Sequence, residues 1–105
     1  MNSIYTFKIG SKDYNLRLTA NAIKAIENKL GKSIFQAFEN LKDNLVDTFI
    51  AVIWGSMQPL NPDFTYEQAT DLFDDYIAEG HSFDDLMREV NGLLAVSGFF
   101  KKGQV

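Results

Sequence analysis

Between residues 4 and 38 the chain reads IYTFKIGSKDYNLRLTANAIKAIENKLGKSIFQAF, and the spacing of its apolar residues changes once. Tyr5, Phe7 and Ile9 alternate with Thr6 and Lys8, and Tyr14, Leu16 and Leu18 alternate with Asn15 and Arg17. Successive side chains of a strand point to opposite faces, so each trio lines one face. The GSKD between them, residues 10–13, supplies turn-prone residues. The reading is a β-hairpin with one apolar side, over residues 3–18. A lone hairpin is marginal in water, so that side needs a partner.

After Leu18 the spacing becomes helical, and a helical body is expected over 19–102. Thr19 is placed to cap a helix whose Ile23, Ile26 and Leu30 share a face and which Gly31 ends. Ser33 and Gln36 form a capping box ahead of Ile34, Phe35, Phe38 and Leu41. KDN at 42–44 interrupts the pattern. Residues 45–57 then carry Val46, Phe49, Ile50, Ile53 and Met57 on one stripe, with Leu45, Val52 and Trp54 making most of the remainder apolar. A helix apolar nearly all round belongs at the centre of a fold. SMQPLNPDF, residues 56–64, holds both prolines and reads as a loop.

Thr65 and Gln68 make a second capping box, followed by Ala69, Leu72, Phe73, Tyr76 and Ile77 up to Gly80. Ser82, with Asp84 and Asp85 in the first turn, opens a last helix with Phe83, Leu86, Met87, Val90, Leu93 and Leu94 along its stripe. The expected fold is α+β, mainly α: an N-terminal hairpin packed on a bundle of about five helices, in one domain over 1–105.

Composition excludes several chemistries. There is no cysteine, which removes disulfides, thiolate metal sites and cysteine catalysis. The net charge of −4 and the lack of a dense Lys/Arg stripe disfavour nucleic acid as a partner. The longest apolar stretch, FIAVIW, is far too short for a bilayer, and no charged segment followed by an apolar run marks a signal peptide, so no membrane partner and a cytoplasmic location are expected.

His81 is the only histidine, and with no second histidine or cysteine it completes neither a triad nor a zinc site; an exposed residue ahead of a helix cap is the preferred reading. Asp71, Asp75 and Glu79, spaced by four, share a face beside Asp74. They lack the alternation and central glycine of a calcium loop and read as a solvated face, or as one that docks a basic partner. No phosphate loop or nucleophile elbow occurs. The expectation is therefore no catalytic residue, no metal and no cofactor. Trp54 reads as core. Phe99 and Phe100 follow Gly98, and two adjacent aromatics cannot both face the core from one helix, so these two are the candidate partner-binding residues.

The order of these features resembles a known family. FKIGSKDYNLRLTANAIKAIENKLGKSIFQAF, a hairpin leading into a capped helix, is followed by VIWGSMQPLNPDFTYEQATDLFDDYI, an apolar helix and a Pro-containing loop. Together they resemble the tail assembly chaperones of long-tailed bacteriophages and prophages of Gram-positive bacteria, and the related small proteins of gene-transfer agents. The likeness covers most of residues 4–80. It implies a non-enzymatic factor of the host cytoplasm, absent from the mature virion, that binds the tape measure protein and helps recruit tail tube subunits. No catalytic residue is carried over. Several small subunits on one long client reinforce one another through effective concentration, so self-association along the client is expected, with the hairpin edge and the last helix as contact surfaces. The resemblance further implies a second, frameshifted product. Lys101, Lys102 and Gly103 can be encoded by an A-rich slippery heptamer, with a short form that stops at Val105. A small helical adaptor of another phage or host protein is the alternative, and a metal-dependent enzyme built on the acidic helix is a third reading.

Overall fold

The computed structural model describes residues 4–99, and in it the hairpin is formed by β1 (Tyr5–Ile9) and β2 (Lys12–Leu16). The strands pair antiparallel with Tyr5 opposite Leu16, Phe7 opposite Tyr14 and Ile9 opposite Lys12. That register leaves only Gly10 and Ser11 in the turn, so Lys12 and Asp13, expected in the turn, belong to the strand. Gly10 takes a positive φ of 60°, which a two-residue hairpin turn with glycine first accommodates. Leu18 is buried but lies beyond β2. On the outer face, directly opposed residues pair: Thr6 donates to Asn15 at 3.1 Å, and Lys8 lies 3.4 Å from Asp13.

Five helices follow: α1 (Ala20–Leu30), α2 (Ile34–Glu39), α3 (Leu45–Met57), α4 (Tyr66–Ala78) and α5 (Phe83–Ser97), with a 3₁₀ turn at Leu41–Asp43. The fold is α+β and mainly α, a hairpin packed against five helices. Side-chain caps set most of the helix starts. Thr19 accepts from the Ala22 N–H, and complete capping boxes join Ser33 to Gln36, Thr65 to Gln68 and Ser82 to Asp85. Glu27 of α1 adds a tertiary cap by accepting from the Ile34 N–H at 2.9 Å. Ser56 and Met57, which the sequence places both in the 45–57 helix and at the start of the following loop, form the last turn of α3. There the Ser56 hydroxyl donates to the Val52 carbonyl at 2.6 Å, which keeps a buried polar group satisfied.

α3 is the spine. Every residue from Thr48 to Met57 is buried except Trp54. α1 and α4 pack along it, while the hairpin and α5 complete the core. α1 approaches α3 closely because position 55 is glycine. A Cβ there would stand 2.3 Å from Cγ1 of Ile26. The Arg17 N–H donates to the Ser56 carbonyl at 2.8 Å, tying the exit of the hairpin to the last turn of α3. Phe7, 1% exposed, sits with its ring 5.1 Å from that of Tyr76. Trp54, expected in the core, is only half-buried; its ring meets Tyr66 edge-on at 5.8 Å, and the Lys29 ammonium lies over both rings.

The hairpin is pinned to α5 at one further point. The Tyr5 hydroxyl donates to Glu89 at 2.8 Å, and its ring lies where a Cβ on Gly92 would stand, 2.6 Å from Cε1. Burial, then the hydrogen bond and charge of Glu89, push the Tyr5 phenol up from 10.0 to about 12. Burial likewise raises Tyr76 to about 12, with the Glu89 and Asp85 carboxylates adding to it. A raised phenol pKa favours the protonated form in the folded state. The stability it contributes is complete below the unfolded value and is lost as pH climbs through the folded one. Stability is therefore expected to fall between about pH 10 and about pH 12 as both phenols ionise. Alkaline unfolding followed by circular dichroism checks this. In Tyr5→Phe the slope of stability against pH over that interval should be shallower, and an unchanged slope would contradict the assignment.

Candidate interaction surface

Phe99 follows α5 immediately. The helix ends at Gly98 with φ of 84°, and the Ser97 hydroxyl caps the exit by donating to the Leu94 carbonyl at 2.7 Å and accepting from the Phe99 N–H at 3.2 Å. The Phe99 side chain is 51% exposed. It forms one wall of a groove whose other side is Leu18, Thr19 and Ala20, at the passage from the hairpin into α1. Phe100 lies outside the described residues, as do Lys101, Lys102 and Gly103. A second groove runs beside β2, where Ile4 and Leu60, both largely exposed, flank Tyr14 and Met57. Of the surfaces expected from the sequence, the hairpin edge and the last helix, the first borders one partly apolar groove along β2, and the second meets the other groove only where α5 ends.

Three apolar residues counted in the helical patterns of the sequence, two of them on apolar stripes, are on the surface. Phe35 is 62% exposed, Val46 43% and Phe83 43%. α2 has six residues, and its inward positions are taken by Ile34 and Ala37. Phe35 stands beside Ile34, a rotation of about 100° away. Val46 and Phe83 occupy the first turns of α3 and α5, where the helices have not yet entered the core. One side of the Phe83 ring is covered, since it stacks on Phe49 at 6.3 Å and meets Phe73 at 6.2 Å.

His81, considered for chemistry, is held in structural contacts. His81 is half-buried rather than exposed. Its ring stacks on Tyr76 at 4.2 Å, Nε2 lies 3.5 Å from Glu79, and Nδ1 lies 3.7 Å from Asp85. Asp85 is committed to capping: the Ser82 backbone N–H, and then the Arg88 guanidinium, hold its carboxyl below the usual value. Asp71, Asp74 and Asp75 are exposed on α4. Among the described residues no group of three or more His, Cys, Asp or Glu side chains is arranged to hold a metal ion. A void of about 10 Å³ lies between Phe7 and Leu16 of the hairpin, Val52 and Ile53 of α3, and Leu86 and Leu93 of α5; it has room for no ligand. No helix among the described residues is long and apolar enough to cross a membrane.

The profile of the DUF6096 family, a family of unknown function, matches residues 2–105. The chain belongs to that family. The match runs through the hairpin, all five helices and both grooves, so the surface around Phe99 is part of the DUF6096 domain and not an appendage to it. No curated protein and no solved structure matches the chain.

Proposed function

We propose that this DUF6096 chain is a non-enzymatic tail assembly chaperone of a long-tailed phage or prophage. In this reading it binds the tape measure protein in the host cytoplasm, helps recruit tail tube subunits, and is absent from the finished virion. The observation that carries the reading is the ordered likeness, over most of residues 4–80, to the tail assembly chaperones. It is supported by large apolar side chains left exposed at helix ends, Phe35, Phe83 and Phe99 among them. A client with long apolar stripes is served by such scattered, shallow contacts, each weak alone and additive along one strand.

Co-expression with a tape measure protein, the client this reading assigns, tests it. The client is expected to stay soluble and to co-purify with the chain. Phe99→Ser is the informative variant, because Phe99 is exposed and its loss leaves the core intact. Removing one aromatic from a contact that buries it should weaken binding by about tenfold to a hundredfold. Unchanged client solubility together with no co-purification would refute the proposal.

A further inference from the structure

The sheet has only two strands, so β2 has one edge with no neighbour in it. Ile9 and Lys12 flank the two-residue turn and exchange both of their hydrogen bonds, and bonded and unbonded pairs alternate from there along the ladder. On β2 this alternation turns the N–H and C=O of Asp13 and Asn15 away from β1. Arg17 has the same parity, and its N–H does point away, to the Ser56 carbonyl of α3. Among the described residues no backbone bond from outside the hairpin reaches Asp13 or Asn15. The groove lined by Ile4, Tyr14, Met57, Leu60 and Asn61 borders this free edge, and Ile4 and Leu60 are largely exposed. Unpaired peptide groups beside exposed apolar side chains form a template for one more strand.

The outward side chains of the edge complement one another. The Thr6 hydroxyl occupies the Asn15 carbonyl oxygen at 3.1 Å, which leaves the Asn15 amide hydrogens to donate. Lys8 approaches one carboxylate oxygen of Asp13 at 3.4 Å, which leaves the other to accept. Two copies of β2 set antiparallel about Tyr14 bring Asp13 of each opposite Asn15 of the other. The free peptide groups of both edges then pair, and each carboxylate faces an amide. Centring on Asp13 instead would oppose two carboxylates, and centring on Asn15 would call on the Arg17 N–H, already given to Ser56.

We propose that this chain forms a two-fold dimer through the β2 edge, with Tyr14 opposite Tyr14 of the second copy and a four-stranded antiparallel sheet running across the pair. The contact is isologous and closes at two copies. In this register Ser11 of the second copy lies opposite Arg17, so its strand runs out at its own turn just where α3 closes the edge. The dimer stands on the geometry of the strand and not on the chaperone reading.

Sedimentation equilibrium of the full chain tests this. The mass is expected to rise with concentration from 11.9 kDa to twice that value and no further. Asn15→Asp sets carboxylate against carboxylate at both ends of the joint and should weaken dimerisation at least about tenfold. Asp13→Asn/Asn15→Asp restores the match with the roles exchanged and should recover it. Damage within one hairpin gives no such recovery, because the exchange also removes the Lys8–Asp13 pair. Asn15→Pro deletes an N–H that the hairpin does not use and should weaken dimerisation by about tenfold or more. Far-ultraviolet circular dichroism confirms that the variants are folded; should Asn15→Pro not be, the exchange decides. A mass of 11.9 kDa at every concentration up to about 1 mM, growth past the dimer, a dimer that Asn15→Asp leaves unweakened, or an exchange that restores nothing would each overturn the proposal.

Discussion

Phe49→Ala should lower the unfolding free energy by about 3–5 kcal/mol, a large part of the roughly 5–15 kcal/mol that a domain of this size has. Phe49 is 1% exposed in the part of α3 against which α4 and α5 converge. Truncation removes the transfer free energy of the ring and leaves a cavity. It also takes away the surface on which Phe83 stacks, and Phe83 is already 43% exposed. Urea denaturation measures the change, and the midpoint should fall while the slope is kept. A loss below about 1 kcal/mol would mean that this end of α3 collapses around the gap, and the description of α3 as the spine would need revision.

Gly55→Ala should also destabilise, by about 1–3 kcal/mol, and here the sign is the informative part. In an exposed helix the same change stabilises by about 1 kcal/mol, because alanine is the better helix former. In α3 the added methyl meets Ile26 at 2.3 Å from Cγ1 and 2.9 Å from Cδ1, with the Ala22 carbonyl at 3.3 Å behind it. Overpacking at the crossing of α1 and α3 outweighs the helical gain. The cause is separable. In an Ile26→Ala background the new methyl has room, so the cost of Gly55→Ala should shrink by at least about 1 kcal/mol in a double-mutant cycle. Simple additivity would show that the contact is not where the cost arises.

How much of this was legible in the sequence differs by element. The helix starts were, because a cap is local: Thr19, Ser33, Thr65 and Ser82 each bond within three residues, and the structure keeps all four. The extent of α3 was legible as well, since Leu45–Met57 is apolar on nearly every side. The hairpin was found but its turn was overestimated. Composition cannot separate a four-residue turn from a two-residue turn followed by an exposed strand start, and the cross-strand pairing of Lys8 with Asp13 is what places Asp13 in the strand.

The surface was legible only in part. Phe99 was singled out because adjacent aromatics cannot share a helix face, and it is exposed. The same argument applied to Ile34 and Phe35 marks one of that pair as surface, and it is Phe35 that is exposed. Spacing says which residues share a face. It does not say how far along its length a helix is covered, which is why the first-turn residues Val46 and Phe83 came out exposed.

The sequence by itself therefore determined the kinds of elements, their order, their caps and the identity of the central helix, because each of these follows from contacts within a few residues or from periodicity along one segment. Only the tertiary structure decided the Tyr5–Glu89 link across 84 positions, the approach of Ile26 to Gly55, the stack of His81 on Tyr76 and the seat of Lys29 of α1 over Tyr66 of α4. These depend on how rigid elements are placed against one another. That placement is set by the shape and volume of the whole core at once, which no local pattern encodes.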